Sequence, residues 1–340
     1  MKRRLAAAFF SYICSVKGIQ THIYSRAEKL PPLDESNFFH SRQLFSICSA
    51  TPRMKPYMTV CTDEDGRVLC HLLAMIRYRT SFLPPFMLIQ CRVLGEGVYA
   101  DSPYRKDELF GEMVTALTQK FNKKVLYIEF SNLSQKMFAY KQFRQNNYFP
   151  VHWMSIHNSL HSRTPEERVT DKMLHHIESA YAHGVTCETV DSAADLKAFN
   201  KLLHQHHWLK PKRYIPDNQF FNLLKDCDQC QLFVTKFRNR VIGCSACAYH
   251  GTDAYLWYSA FRRKSYLMLH PDEVTIWHAI KYAHQQGYDH INFMDVGLPF
   301  RKNSFREFIL RFGGKPVSTN RWFRCSIRWI NNVLKWVYRD

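Results

Sequence analysis

Residues 231–260 read QLFVTKF RNR VIGCSACAY HGTD AYLWYSA. Three apolar runs, Gln231–Phe237, Val241–Tyr249 and Ala254–Ala260, are set apart by a polar turn, Arg238-Asn239-Arg240, and by Gly251-Thr252-Asp253. Short runs rich in β-branched and aromatic residues and bounded by turn residues predict three consecutive strands, the first two a hairpin. Downstream, a polar loop, Phe261–His270, leads to a helix that opens on Pro271-Asp272-Glu273 and stops at Gly287. A strand, His290–Val296, a short helix around Phe305–Phe312, the Gly313-Gly314 stop and a last strand near Pro316–Phe323 follow. Upstream, Thr164-Pro165-Glu166-Glu167 has the cap, the first-position Pro and the third-position Glu of a helix start. That helix ends at Gly184, before a strand, Val185–Val190. Ser192-x-x-Asp195 opens a second helix and Pro216–Leu224 forms a shorter one. The order is β-α-α-β-β-β-α-β-α-β.

The first half has nearly the same order. Ile19–Tyr24 is a strand, Ser41–Ser49 a helix, and Pro56–Thr62 with Arg67–Arg79 a hairpin about Asp63-Glu64-Asp65-Gly66. Phe86–Val93, a helix from Asp107 to Phe121, Lys124–Phe130, a helix over Ser134–Asn146 and a long strand, Tyr148–Leu160, complete it. Two halves with one element order predict an internal structural repeat of α/β (α+β) class.

The chain has 340 residues, 46% hydrophobic and 15% aromatic, enough for two cores and too apolar for disorder. Its net charge of +18 raises the local concentration of polyanions: RNA, an anionic membrane surface or a phosphate-rich cofactor. Eleven cysteines, an odd number, suit free thiols in a reducing compartment. Residues 1–18 begin basic and then apolar like a short signal peptide, but they lack a small-x-small site before Gly18 and are broken by Ser11, Tyr12 and Ser15. They read as a poorly ordered or dispensable leader.

The element order resembles the GNAT fold, and two copies in tandem resemble the FemAB-like transferases. The likeness is carried by the basic helix Thr164–Val185, the hairpin Leu232–Tyr249, and His290–Gly297 followed by Phe305-Arg306 and Phe312-Gly313-Gly314. It implies a first GNAT-type domain over 19–160, a second over 161–323, and a separate tail over 324–340. It implies N-acyl transfer from acyl-CoA to a small-molecule or lipid-linked amine. The alternatives are aminoacyl transfer from aminoacyl-tRNA to a peptidoglycan precursor, and a non-catalytic binding module. A cytoplasmic enzyme, with a place at the inner face of the membrane, is the matching location.

GNAT enzymes hold the coenzyme A pyrophosphate on a glycine loop and the helix N-terminus after it. Arg92-x-x-Gly95-x-Gly97 fits that pattern in the first half, although the next helix starts about ten residues later. In the second half the corresponding loop has no glycine and offers Arg262, Arg263 and Lys264. Acyl transfer also needs a base for the ammonium proton. Asp295, at a predicted strand end, reads as that base or as an anchor for the amine; the plainer reading is a loop cap. Tyr258 reads as a leaving-group acid or as core. Asn292, Lys302 and Arg306, with Arg311, read as substrate contacts or as solvated polar groups.

No metal is expected. Cys227-x-x-Cys230 and Cys244-x-x-Cys247 have zinc-like spacing, but the second pair lies in a predicted strand, where residues three apart face opposite ways. His204, His206 and His207 read as favourable charge at a helix end. Lys136–Arg144, basic residues among aromatics, can stack on RNA, but its helical spacing reads as core. The tail alternates Trp322, Trp329 and Trp336 with Arg324, Arg328 and Lys335, an amphipathic basic helix that docks on the protein or lies on an anionic membrane.

Overall fold

The computed structural model describes residues 18–80, 87–207, 214–294, 296–298 and 302–338. The chain divides into two units. One comprises the chain up to Ser49, Arg53–Val151 and the chain from Arg321; the other comprises Ala50–Pro52 and His152–Asn320. The divisions near residues 151 and 320 fall inside two long strands, Phe149–Ser159 and Lys315–Cys325.

The first unit contains β1 (Gln20–Tyr24), α1 (Arg42–Ala50), β2 (Met54–Thr62), β3 (Val68–Thr80), β4 (Met87–Leu94), β5 (Val98–Tyr99), α2 (Lys106–Phe121), β6 (Tyr127–Ser131), α3 (Tyr140–Gln145) and the start of β7 (Phe149–Ser159). Its sheet runs β1-β2-β3-β4-β6, antiparallel except for the parallel pair β4–β6, with β5 added beside β3. The helix expected over Ser134–Asn146 is only Tyr140–Gln145, because Ala139 sits in the left-handed region (φ 49) and breaks it. The α2 face Leu109, Phe110, Met113 and Leu117 is fully buried on this sheet. Phe110, Phe130, Phe143 and Tyr148 meet edge to face, and Trp322 stacks on Phe143 at 4.6 Å.

The second unit contains α4 (Asp171–Ala182), β8 (Val185–Thr189), α5 (Ala193–His207), α6 (Asn218–Lys225), β9 (Cys230–Phe237), β10 (Arg240–His250), β11 (Asp253–Phe261), α7 (Pro271–Gln285), β12 (His290–Phe293), α8 (Ser304–Leu310) and most of β13 (Lys315–Cys325). A last helix, α9 (Arg328–Val337), belongs to the first unit. The second sheet runs β8-β9-β10-β11-β12-β7, again antiparallel except for one parallel pair, β11–β12. The repeat read from the sequence is present: each unit is a meander followed by one parallel crossover through a helix. The start at Thr164 is only a 3-10 turn, Glu166–Arg168; α4 begins after Thr170, whose hydroxyl accepts from the Met173 N–H.

α7 packs closely on β10 because Gly243 faces it. A Cβ at Gly243 would stand 2.0 Å from the Thr275 hydroxyl oxygen. Cys244 and Cys247 are fully buried in β10; burial raises both thiols, Cys247 to about 12. The Cys244 thiol donates to the Phe199 carbonyl. These cysteines serve the core.

Candidate active site

The two parallel pairs differ at their ends. In the first unit β4 and β6 stay in register from Gln90–Tyr127 to Leu94–Ser131, and the Gly95 N–H donates to the Ser131 carbonyl just beyond. In the second unit pairing stops at Leu256–Phe293, while β11 continues through Trp257–Phe261 with only β10 paired to it among the described residues. The opening thus lies in the second unit, at the C-terminal ends of β11 and β12, where ligands bind in open α/β sheets.

A β-bulge marks the point of parting. Ala246 pairs with Tyr258 and Cys247 with Leu256, so Trp257 is the extra residue on β11. The bulge brings two consecutive rings together: Trp257 and Tyr258 lie 5.2 Å apart, and both meet Phe220 of α6. Tyr258 is 3% exposed and edge-on to Phe221 at 5.2 Å, so its ring closes this aromatic cluster and does not line a surface. Beyond the bulge, α5 supplies partners for the β11 backbone. His207 Nε2 lies 3.2 Å from the Ser259 carbonyl and His206 Nδ1 lies 3.1 Å from that of Phe261. A carbonyl accepts only, so each of these ring nitrogens carries the proton. The histidines read as helix-end charges are strand-edge donors.

The other wall is the chain after β12. Asp295 lies outside the described residues. Its neighbours on either side are bonded: the Met294 N–H donates to Leu256, and the Val296 carbonyl accepts from the Asn303 side-chain amide at 2.9 Å. Asn303 also caps α8, accepting from the Phe305 and Arg306 N–H groups. Arg306 donates to the Leu298 carbonyl, and Lys302 is exposed. Asn292 sits inside β12, between Tyr255 and His157. Sequence reasoning passed over Asn303, although an Asn just before a short apolar helix is a capping signal. Gly297 (φ 94) is required here, since a Cβ would stand 2.3 Å from the Asn303 side-chain nitrogen. Gly297→Ala is expected to cost about 2 kcal/mol of stability through this backbone conformation and clash, and to lower the rate at the adjoining site. Thermal denaturation and a transfer assay on the variant check both.

The residues set aside for phosphate are otherwise engaged. In the first unit the Gly97 N–H donates to His40 Nε2 at 3.1 Å, and a Cβ there would stand 2.6 Å from the His71 carbonyl. Arg92 is 9% exposed and bonded to Ser131, with Glu129 3.6 Å away. Gly95, Gly97 and Arg92 thus build a turn and a buried pair, not an anion cradle. In the second unit the decisive place is the start of α7. His270, in the left-handed region (φ 43), gives it no side-chain cap. The Asp272 carboxylate, 4% exposed, lies in the first turn, with Arg263 Nε at 3.3 Å. Burial pushes this carboxyl up, and the Arg263 guanidinium opposes the shift. Arg262 turns to Gln205, and Lys264 stays exposed.

Glu273, 5% exposed, is the second acid at this helix end. It is bonded to His176 Nδ1 at 3.0 Å, with His270 Nδ1 at 3.8 Å and Arg311 at 3.6 Å. The two imidazoles stack at 4.0 Å, and burial and His176 together lower the His270 pKa. These three residues bring possible metal-binding atoms within 4.8 Å of one another, and the same carboxylate is hydrogen-bonded to His176 and lies 3.6 Å from Arg311.

Residues 168–302 match the Acetyltransf_6 family, an acetyltransferase (GNAT) domain. Those residues carry a GNAT-type domain. The reaction class of that domain is acyl transfer. Three solved structures are similar across nearly their whole length. FemX superposes with a TM-score of 0.56 at 10% identity, over 86% of this chain and 98% of its own. L-PGS from Bacillus licheniformis gives 0.55 at 12%, over 87% and 93%. A tandem GNAT protein from the clavulanic acid biosynthesis pathway gives 0.53 at 10%, over 88% and 91%. At these identities the likeness is one of fold, and it spans both units. No curated protein sequence matches the chain.

Proposed function

We propose that the second unit transfers an aminoacyl group from aminoacyl-tRNA to an amine, at the opening between β11 and β12. The observation that carries the choice of donor is the Asp272 carboxylate at the start of α7. In an acyl-CoA enzyme of this fold a pyrophosphate would need the N–H groups at that helix end. Here a buried carboxylate stands in that first turn, and Glu273 adds a second acid beside it, so the end of the helix is acidic. The net charge of +18 suits a polynucleotide donor held along its phosphates. Such a donor places the enzyme in the cytoplasm.

In the reaction the amine nitrogen attacks the ester carbonyl of the donor, a C–N bond forms, and the C–O bond to the ribose breaks. The ammonium proton goes to Asp295, and the ribose oxygen leaves as a hydroxyl after taking a proton from solvent. The acceptor class is an amine on a small molecule or on a lipid-linked precursor. The family description as an acetyltransferase domain favours a second reading, with acyl-CoA as donor. The exposed Arg262 and Lys264 would then hold its phosphates in place of the α7 backbone.

Thermal denaturation separates the two donors. Bulk tRNA is expected to raise the melting temperature at low salt and to lose the effect as salt rises, while acetyl-CoA leaves it unchanged. Stabilisation by acetyl-CoA alone would sink the tRNA reading.

A further inference from the structure

The last helix is attached to the first unit by its polar side. Asn331 is the buried residue of α9. Its side chain accepts from the Cys325 N–H at 2.8 Å and donates to the Asn147 carbonyl at 3.0 Å. Lys335 donates to the Asn147 side chain at 3.0 Å, and Tyr338 stacks on Phe149 at 5.7 Å. The apolar side faces out. Trp329, Val333, Trp336 and Val337 are 69%, 51%, 66% and 57% exposed. Their spacing of four, three and one residues puts them on one stripe. A surface helix ordinarily turns this stripe inward, so here the stripe is meant for something outside the chain.

Charge and size indicate what covers it. From Phe308 to Tyr338 there is no acidic residue. Arg328, on the helix itself, is exposed. Arg324, one turn before it, reaches Asn122, whose neighbours Lys123 and Lys124 are both exposed. Tryptophans with a basic rim are the composition of a helix that lies in the interface of an anionic bilayer. A second copy of the chain fits less well. A ten-residue helix is about 15 Å long, so one stripe on each partner falls far short of the roughly 1,200 Å² that a stable interface buries. Two copies would also bring like charges together. No helix among the described residues is long and apolar enough to cross a membrane, so the mode is one of lying on the surface.

We propose that α9 is an interfacial anchor. Trp329, Val333, Trp336 and Val337 enter the boundary between headgroups and acyl chains, and the exposed Arg328, Lys123 and Lys124 contact lipid phosphates. The anchor holds the first unit against a membrane whatever donor the second unit uses. It is the property required of an enzyme whose amine acceptor resides in a bilayer.

Flotation of the full chain with vesicles tests it. Phosphatidylcholine doped with phosphatidylglycerol is compared with phosphatidylcholine alone, for the native protein and for Trp329→Ser/Trp336→Ser. Both tryptophans are exposed, so the variant is expected to keep its melting temperature. The native protein should float with the anionic vesicles, bind neutral ones weakly, and release as salt rises. The variant should bind the anionic vesicles roughly 10-fold or more weakly. Native protein that stays in the dense fraction overturns the proposal. So does equal flotation of the variant, or a native dimer that the two substitutions dissociate.

Discussion

Asp295→Asn is expected to lower the rate of acyl transfer by about 10²-fold or more, the usual contribution of an acid–base group, with the melting temperature unchanged. Asp295 follows the apolar strand Ile291-Asn292-Phe293-Met294 and precedes Val296-Gly297, where the chain turns. Both neighbours are tied down, Met294 to β11 and Val296 to Asn303, so the backbone on either side is held at the mouth of the opening. An amide at position 295 has nearly the same shape and cannot take the ammonium proton. The loss should therefore fall on turnover at saturating acceptor, while Asp295→Glu, which keeps the carboxylate, should retain more activity than the amide. A folded Asn variant with full turnover would falsify the assignment and leave Asp295 as a loop cap.

The second large effect is on stability. Gly243→Ala should destabilise the second unit by about 3 kcal/mol. The added methyl would meet the Thr275 hydroxyl at 2.0 Å and the Thr235 Cβ at 3.1 Å. Neither neighbour yields easily, because Thr275 is bonded to Thr235 at 2.7 Å and to the Pro271 carbonyl at 2.6 Å. To make room, α7 must lift from β10, and α7 carries Asp272 and Glu273 at its start. Thr275→Ala removes the nearest atom. Combined with Gly243→Ala it should recover at least about 1 kcal/mol in a double-mutant cycle read by denaturant unfolding. Strict additivity of the two losses would show that the close approach at Gly243 does not set the helix position.

The fold was legible because its strands alternate or run apolar between turn residues, and its helices carry caps and glycine stops. β9, β10 and β11 lie within a residue or two of where the apolar runs place them. What escaped notice depends on contacts distant in sequence. β5 is two residues long and exists only because β3 offers an edge. The Arg92–Gly97 spacing matches a phosphate loop, yet His40, far upstream, takes the Gly97 N–H. Asp272 and Glu273 were legible as first-turn acids. Nothing local shows that both are buried, Asp272 beside Arg263 and Glu273 beside His176. The tail shows the same limit. Its apolar stripe is plain in the sequence, and the expectation was that such a stripe either docks or meets a membrane. That it is held by Asn331, with the stripe outward, depends on Asn147, remote from it in the chain.

The most direct measurement is transfer itself. The full chain is incubated in parallel with tRNA charged with radiolabelled amino acids and with radiolabelled acetyl-CoA, each with small-molecule amines and a lipid extract as acceptors. Label is then counted in alkali-stable amide. The expected result is label moved from aminoacyl-tRNA, little from acetyl-CoA, and a fall of about 10²-fold for Asp295→Asn. Label moved from acetyl-CoA and not from aminoacyl-tRNA would contradict the donor, and a protein that binds tRNA yet moves label from neither would contradict catalysis at this site altogether.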